Sequence, residues 1–178
     1  MIVGALAPGE LCVGLAVPVP DPFAGELSDA RARFGDPSAS LIPPHITLLG
    51  PTRVASADLP ALDAYLAQAA GRHRRFDMRL EGSATFRPVS PVVFVQVVTG
   101  GEECAALADD LLGAPVDHRR RFAYHPHITV AQELSDDQLD AAQDGMAAYS
   151  AAFAVTAFSR YEHGGDGCWR PARTFDLT

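Results

Sequence analysis

Two histidines and two threonines, set in repeated surroundings, are the residues of this sequence best suited to chemistry. Pro43 to Leu49 reads Pro-Pro-His-Ile-Thr-Leu-Leu, and His125 to Ala131 reads His-Pro-His-Ile-Thr-Val-Ala. Each stretch holds Pro-His-Ile-Thr followed by an apolar residue. Histidine titrates nearest neutrality, and two of them can divide the roles of general acid and general base. Threonine hydroxyls can donate to the non-bridging oxygens of a phosphate. An in-line displacement at phosphorus uses that combination: one group takes a proton from the attacking oxygen, and another, on the opposite side, protonates the leaving oxygen. His45, Thr47, His127 and Thr129 are the candidate catalytic residues, and the chemistry they suggest calls for no metal and no cofactor.

Such a site needs strands. Residues two apart on a strand share a face and lie about 6–7 Å apart. His45 and Thr47 then look one way while Ile46 and Leu48 anchor the strand from behind, and His127 and Thr129 stand likewise against Ile128 and Val130. The first motif strand is expected to stop at Gly50-Pro51, and the second to run from about Ala123 to Gln132. Around them the pattern predicts a strand at Leu11–Val19, a helix at Phe23–Phe34 stopped near Gly35, and a helix from Ser56, as N-cap, to Ala70. Strands follow at Phe76–Phe86 and Val92–Val98, then a helix at Glu102–Leu112 and one at Ser135–Tyr149. A strand at Ala152–Tyr161 and an edge strand at Trp169–Leu177, interrupted by Pro171, close the chain. Strand, helix, motif strand, helix, strand occurs twice, and the motif histidines lie 82 positions apart. The expected fold is α+β: a single bilobal domain over 1–178, its repeat roughly 11–86 and 92–161 with a C-terminal strand 169–177. Its two lobes are related by a pseudo-two-fold axis, with largely antiparallel sheets and helices outside.

Composition narrows the partners. The chain has 178 residues, 48% of them apolar, and a formal net charge of −8. That charge excludes a protein that coats long nucleic acid by neutralising many phosphates, and leaves room for a small phosphorylated substrate in a locally positive cleft. No apolar run reaches the roughly 20 residues of a membrane helix, and the N-terminus does not read as a signal peptide. The three cysteines, Cys12, Cys104 and Cys168, form neither a metal-ligand spacing nor a disulfide framework, so a cytoplasmic location is expected; a monomer is expected. All basic side chains apart from histidine are Arg. His125 and His127 have the spacing of a metal pair, but no third ligand is evident and Pro126 separates them. Arg121, in the run Arg119–Arg121 before the second motif, is a candidate phosphate contact, with Arg87 and Arg53 as other sources of charge. Tyr124 and Phe86 are candidates for stacking on a base. His73, His118 and His163 are expected to face solvent.

Paired His-x-Thr motifs of this form and spacing resemble the 2H phosphoesterase superfamily, with its 2′-5′ RNA ligase-like and cyclic nucleotide phosphodiesterase members nearest. The resemblance spans the chain, including the Phe-Arg-Pro-Val-Ser-Pro turn before Val92. It implies a bilobal 2H phosphoesterase-like fold and metal-independent hydrolysis of a 2′,3′-cyclic phosphate or related cyclic phosphodiester, on a cyclic nucleotide or an RNA terminal phosphate. It also implies that His127 is the base activating water, that His45 is the acid for the leaving ribose oxygen, and that Thr47 and Thr129 hold the phosphate. The alternatives are 2′-5′ RNA ligase-type activity and a non-catalytic module that binds a phosphorylated ligand or RNA end. Ligase-like members often carry an Arg three positions past the second motif Thr; here Gln132 stands there, a hydrogen-bond donor without charge.

Overall fold

The computed structural model describes residues 5–120 and 122–178. Its elements, in order, are β1 (Glu10–Pro18), α1 (Phe23–Phe34), β2 (His45–Ala55), a 3-10 turn (Ser56–Asp58), α2 (Leu59–Arg72), β3 (Phe76–Thr85), β4 (Val92–Thr99), α3 (Gly101–Leu111), β5 (His127–Gln132), α4 (Asp136–Gly145), β6 (Ser150–Val155), β7 (Ala157–His163) and β8 (Trp169–Asp176). Two four-stranded antiparallel sheets result, in the orders β2-β1-β7-β8 and β5-β4-β3-β6. The α+β architecture is the one expected. Each motif strand, β2 or β5, lies at one edge of its own sheet, and the two pack against each other.

The sheets do not coincide with the sequence halves. β3 closes the first half of the sequence pattern yet pairs with β4 and β6, whereas β7 closes the second and pairs with β1 and β8. The halves exchange their closing strands. The helices cross as well: α1 packs on β5 and α3 on β2, so each motif strand is backed by the helix of the other half. Behind the motifs, Ile46, Ile128 and Val130 are fully buried and Leu48 nearly so, within one continuous apolar core.

Local chemistry explains most boundaries. α1 ends where Gly35 adopts φ 86°, a left-handed conformation that glycine takes without steric cost. The Gly35 and Asp36 amides then donate to the carbonyls of Ala32 and Arg31. α4 begins with a capping box: the Ser135 hydroxyl accepts from the Gln138 amide, and the Gln138 side chain reaches back to the Ser135 amide.

Five expectations need correction. α4, expected to run to Tyr149, ends at Gly145. β2 does not stop at Gly50-Pro51 but runs to Ala55. It is an edge strand, so the missing Pro51 amide costs no ladder bond, and a bulge opposite Gly14 takes up the extra residue as the register passes from Leu15↔Leu49 to Val13↔Thr52. Ser56 does not cap α2: its hydroxyl donates to Gly9 O, and the helix extends through Gly71 to Arg72. β5 begins at His127, not Ala123; Pro126, immediately before it, has no amide to give a ladder. The strand expected at Ala152–Tyr161 is two strands, broken at Thr156, where the chain leaves one sheet and enters the other. Among the described residues, no helix is long and apolar enough to cross a membrane.

Candidate active site

The two motif histidines are held in the same way. His45 Nδ1 lies 2.8 Å from Pro43 O, and His127 Nδ1 lies 2.7 Å from His125 O. A carbonyl oxygen only accepts, so each Nδ1 must carry a proton, and each Nε2 is the nitrogen left for acid–base work. In both copies the acceptor belongs to the residue two before the histidine, ahead of a proline that keeps its neighbour extended. Ile46 and Ile128 fix the strands from the core side, leaving His45, Thr47, His127 and Thr129 half-exposed.

Burial pushes both imidazoles below their ordinary pKa, because desolvation disfavours the charged ring. For His45 the bond to Pro43 O opposes that shift and the charge of Arg31 adds to it. For His127 the bond to His125 O opposes it, and positive charge on His125 or His45 adds to it. The two motif histidines are thus near enough for the charge of one to disfavour charge on the other. That coupling disfavours charging both rings at once.

The copies differ in their surroundings. His45 Nε2 lies 3.1 Å from Thr47 Oγ1, while the Thr129 hydroxyl has no partner among the described residues. The His45 ring lies near Tyr161, with centroids 6.4 Å apart. His127 meets the rings of Phe86 edge-on at 4.9 Å and Phe94 at 5.2 Å, and both phenylalanines also touch His125. Opposite Thr47 on β1 stands Ala16; opposite Thr129 on β4 stands Phe94.

The other sequence candidates are placed variously. Phe86 packs against Phe94 with the rings tilted and their centroids 4.3 Å apart, and so belongs to the wall behind His127. Tyr124 donates its hydroxyl to Thr47 O at 3.0 Å, and the Arg120 guanidinium lies over its ring. Arg121 lies outside the described residues. Arg87 is held by Asp140 at 2.6 Å and Asp136 at 3.5 Å on α4, and Arg53 pairs with Glu10. His125 stands at the rim, and among the described residues no group of three His, Cys, Asp or Glu side chains is arranged to hold a metal ion. His73, His118 and His163 are not simply solvent-facing: they meet Asp110, Thr52 and the Trp169 ring respectively.

Sequence reasoning missed Arg31, Phe94 and the partner of Gln132, Ser38. Arg31, on α1, is almost wholly buried, bonded through Nε and Nη2 to Asp36 at 3.1 Å and through Nη1 to Ile42 O at 2.7 Å. Its Nη2 also donates to Ser38 Oγ at 2.9 Å, which accepts from Gln132 Nε2 at 3.1 Å as well. In the sequence Arg31 reads as one polar position on an amphipathic helix. The strand alternation that places His127 could find Phe94, but only with the β4–β5 register known.

Residues 19–167 match the family model described as the 2′-5′ RNA ligase superfamily. The "Putative phosphoesterase" of Bacillus pumilus is 34% identical over 108 residues, 61% of this chain and 62% of that protein. A similarly named protein of Halalkalibacterium halodurans is 30% identical over 129 residues, 71% of this chain and 72% of its own length. The chain thus spans somewhat less than two thirds of the first of these relatives. Among solved structures, Escherichia coli LigT complexed with 3′-AMP superposes with a TM-score of 0.67 at 21% identity, covering 95% of this chain and 99% of that one. A Thermus thermophilus protein does so with a TM-score of 0.61 at 20% identity, over 93% and 97%. At these identities the likeness is one of fold: both share the two-sheet α+β architecture.

Proposed function

The chain belongs to the 2′-5′ RNA ligase superfamily, and from that membership we propose that it is a 2H-type phosphodiesterase opening a 2′,3′-cyclic phosphate, or a related cyclic phosphodiester, on a nucleotide or RNA end. The observation that carries this reading is the twin tautomer lock: Nδ1 of each motif histidine is committed to a carbonyl, leaving two Nε2 atoms on packed edge strands. The phosphate sits between them, with Thr47 and Thr129 donating to its non-bridging oxygens.

Neutral His127 takes a proton at Nε2 from water as the water oxygen bonds to phosphorus. One ribosyl P–O bond breaks, and the departing oxygen receives the proton of His45 Nε2. The product is a nucleoside or RNA-end monoester. Exchange with solvent returns the proton to His45 and removes it from His127. No step in this scheme draws on a metal. Escherichia coli LigT is known in complexes with 3′-AMP and with phosphate, and we extend that ligand class, a nucleoside monophosphate, to the product here. With three free thiols, two of them buried, we place the activity in the cytoplasm.

The test is hydrolysis of 2′,3′-cyclic mononucleotides and of RNA ending in a cyclic phosphate, with EDTA present. Turnover that His45→Ala and His127→Ala each lower by about 10²–10⁴ is the expected result. Turnover that either variant retains in full, or that EDTA abolishes, overturns the two-histidine mechanism. Tight binding of every substrate with no turnover of any would favour a binding module, and joining of RNA ends without hydrolysis a ligase.

A further inference from the structure

The carbonyls that lock the two histidines sit in the segments leading into the motif strands, and residues 35–44 and 122–126 there form no helix or strand. In each, the residue just before the lock is tied down. Ile42, preceding Pro43, has its carbonyl held by Arg31 Nη1 at 2.7 Å. Tyr124, preceding His125, has its hydroxyl on Thr47 O at 3.0 Å. Ile42 and Tyr124 occupy equivalent positions in the two copies, each three before its histidine.

Each tie also reaches the opposite motif strand. Tyr124 leads into β5 but fastens to β2, on the carbonyl of the residue whose hydroxyl contacts His45. The segment leading into β2 fastens to β5: Gln132, the last residue of that strand, donates to Ser38 Oγ. Ser38 is saturated. It accepts from Gln132 and from Arg31 Nη2, and its hydroxyl donates to Asp36 Oδ1 at 2.7 Å. The same guanidinium holds Ile42 O. A continuous chain of bonds therefore runs from the end of the His127 strand to the carbonyl beside the lock on His45.

We propose that Gln132 and Tyr124 are reciprocal positioning residues, cross-braces by which each motif strand holds the approach segment of the other and so sets where the two imidazoles stand. This rests on the two-histidine reading for its catalytic consequence, though not for its structural one. Neither residue need touch substrate. A small displacement of an acid–base group costs rate far more than it costs affinity, so loss of a brace lowers kcat and spares KM.

The experiment uses the whole chain with Tyr124→Phe, which removes one hydroxyl, and Gln132→Met, which keeps the length and removes the donor. With a 2′,3′-cyclic mononucleotide, each variant is expected to lose about tenfold to hundredfold in kcat with KM within about twofold. In parallel, NMR follows the imidazole Nδ1–H protons of His45 and His127 in the free protein. Gln132→Met is expected to speed solvent exchange at His45 alone, and Tyr124→Phe at His127 alone. Unchanged kcat and unchanged exchange in both variants overturn the proposal. A loss confined to KM overturns it in favour of direct substrate contact, and equal loosening of both protons in either variant overturns it in favour of a general role in folding. Should the wild-type chain hydrolyse no cyclic phosphate, the functional reading fails, and the exchange measurement still decides the braces.

Discussion

The two motif sites share a lock and differ in what surrounds it. His45 stands among polar and charged groups: Thr47 on its Nε2, Tyr161 beside its ring, and the buried Arg31 cation within electrostatic reach. His127 stands in an aromatic wall of Phe86 and Phe94, with His125 at the rim. The repeated residues provide two equivalent imidazoles, and the unrepeated ones make them inequivalent. The proposed phosphodiesterase chemistry needs both properties, because an acid and a base must be alike in pKa and opposite in protonation.

Removing either histidine tests the shared part and has the largest expected effect. His45→Ala and His127→Ala should each cost about 10²–10⁴ in kcat. They should leave different residual pH profiles, His127→Ala lacking the rising limb and His45→Ala the falling one. In the intact free protein both imidazoles lie below the ordinary value. The base must be neutral and the acid protonated, so the bell in kcat/KM should peak on the acid side of about pH 6.5.

The polar surroundings of His45 are tested next. Arg31→Met leaves the Asp36 carboxylate buried without its partner; the side chains are 3% and 0% exposed. Denaturant unfolding should show a loss of about 3–5 kcal/mol. In the folded fraction, removing a cation that disfavours charged His45 should move the falling limb of kcat/KM to higher pH. An unmoved limb would mean that Arg31 acts on the fold alone.

Smaller effects separate the two threonines. Thr129→Val removes a hydroxyl free to hold phosphate and should cost about tenfold to hundredfold in kcat with unmoved pH limbs. Thr47→Val removes a hydroxyl shared with His45 Nε2, so it should cost a similar factor and also shift the falling limb. Identical pH profiles for the two variants would remove this distinction between the sites.

The smallest effect belongs to the aromatic wall. Phe94→Leu should destabilise by roughly 1–1.5 kcal/mol. By easing the desolvation of His127 it should let that imidazole rise toward its ordinary pKa, carrying the rising limb to higher pH. Titration of the His127 ring by NMR would measure this directly.

How much of this is legible in the sequence depends on range. His45, Thr47, His127 and Thr129, their shared faces and the buried isoleucines behind them follow from alternation within seven-residue strings. α1 is readable to its last residue because Gly35 punctuates it. What crosses between elements is not readable. Strand patterns do not name their partners, so the exchange of β3 and β7 leaves no local mark. Gly50-Pro51 looks like a stop because its tolerance comes from β2 being at an edge, which only the sheet order reveals. Gln132 stands out as an uncharged residue, but its bond to Ser38, 94 positions away, has no sequence signature. Tyr124 draws notice as an aromatic ring, yet it is the hydroxyl that ties it to β2.

The break at Thr156 bears on how the chain is made. Residues 76–155 contain all four strands of one sheet, so that sheet can assemble as soon as it emerges from the ribosome. The other sheet cannot. β1 and β2 are synthesised first, but β1 gains its second neighbour only when residues 157–163 follow, nearly the whole chain later. Until then β1 keeps an open edge, and a chain truncated before residue 157 would hold all four strands of the His127 sheet beside a His45 sheet missing two of its four strands.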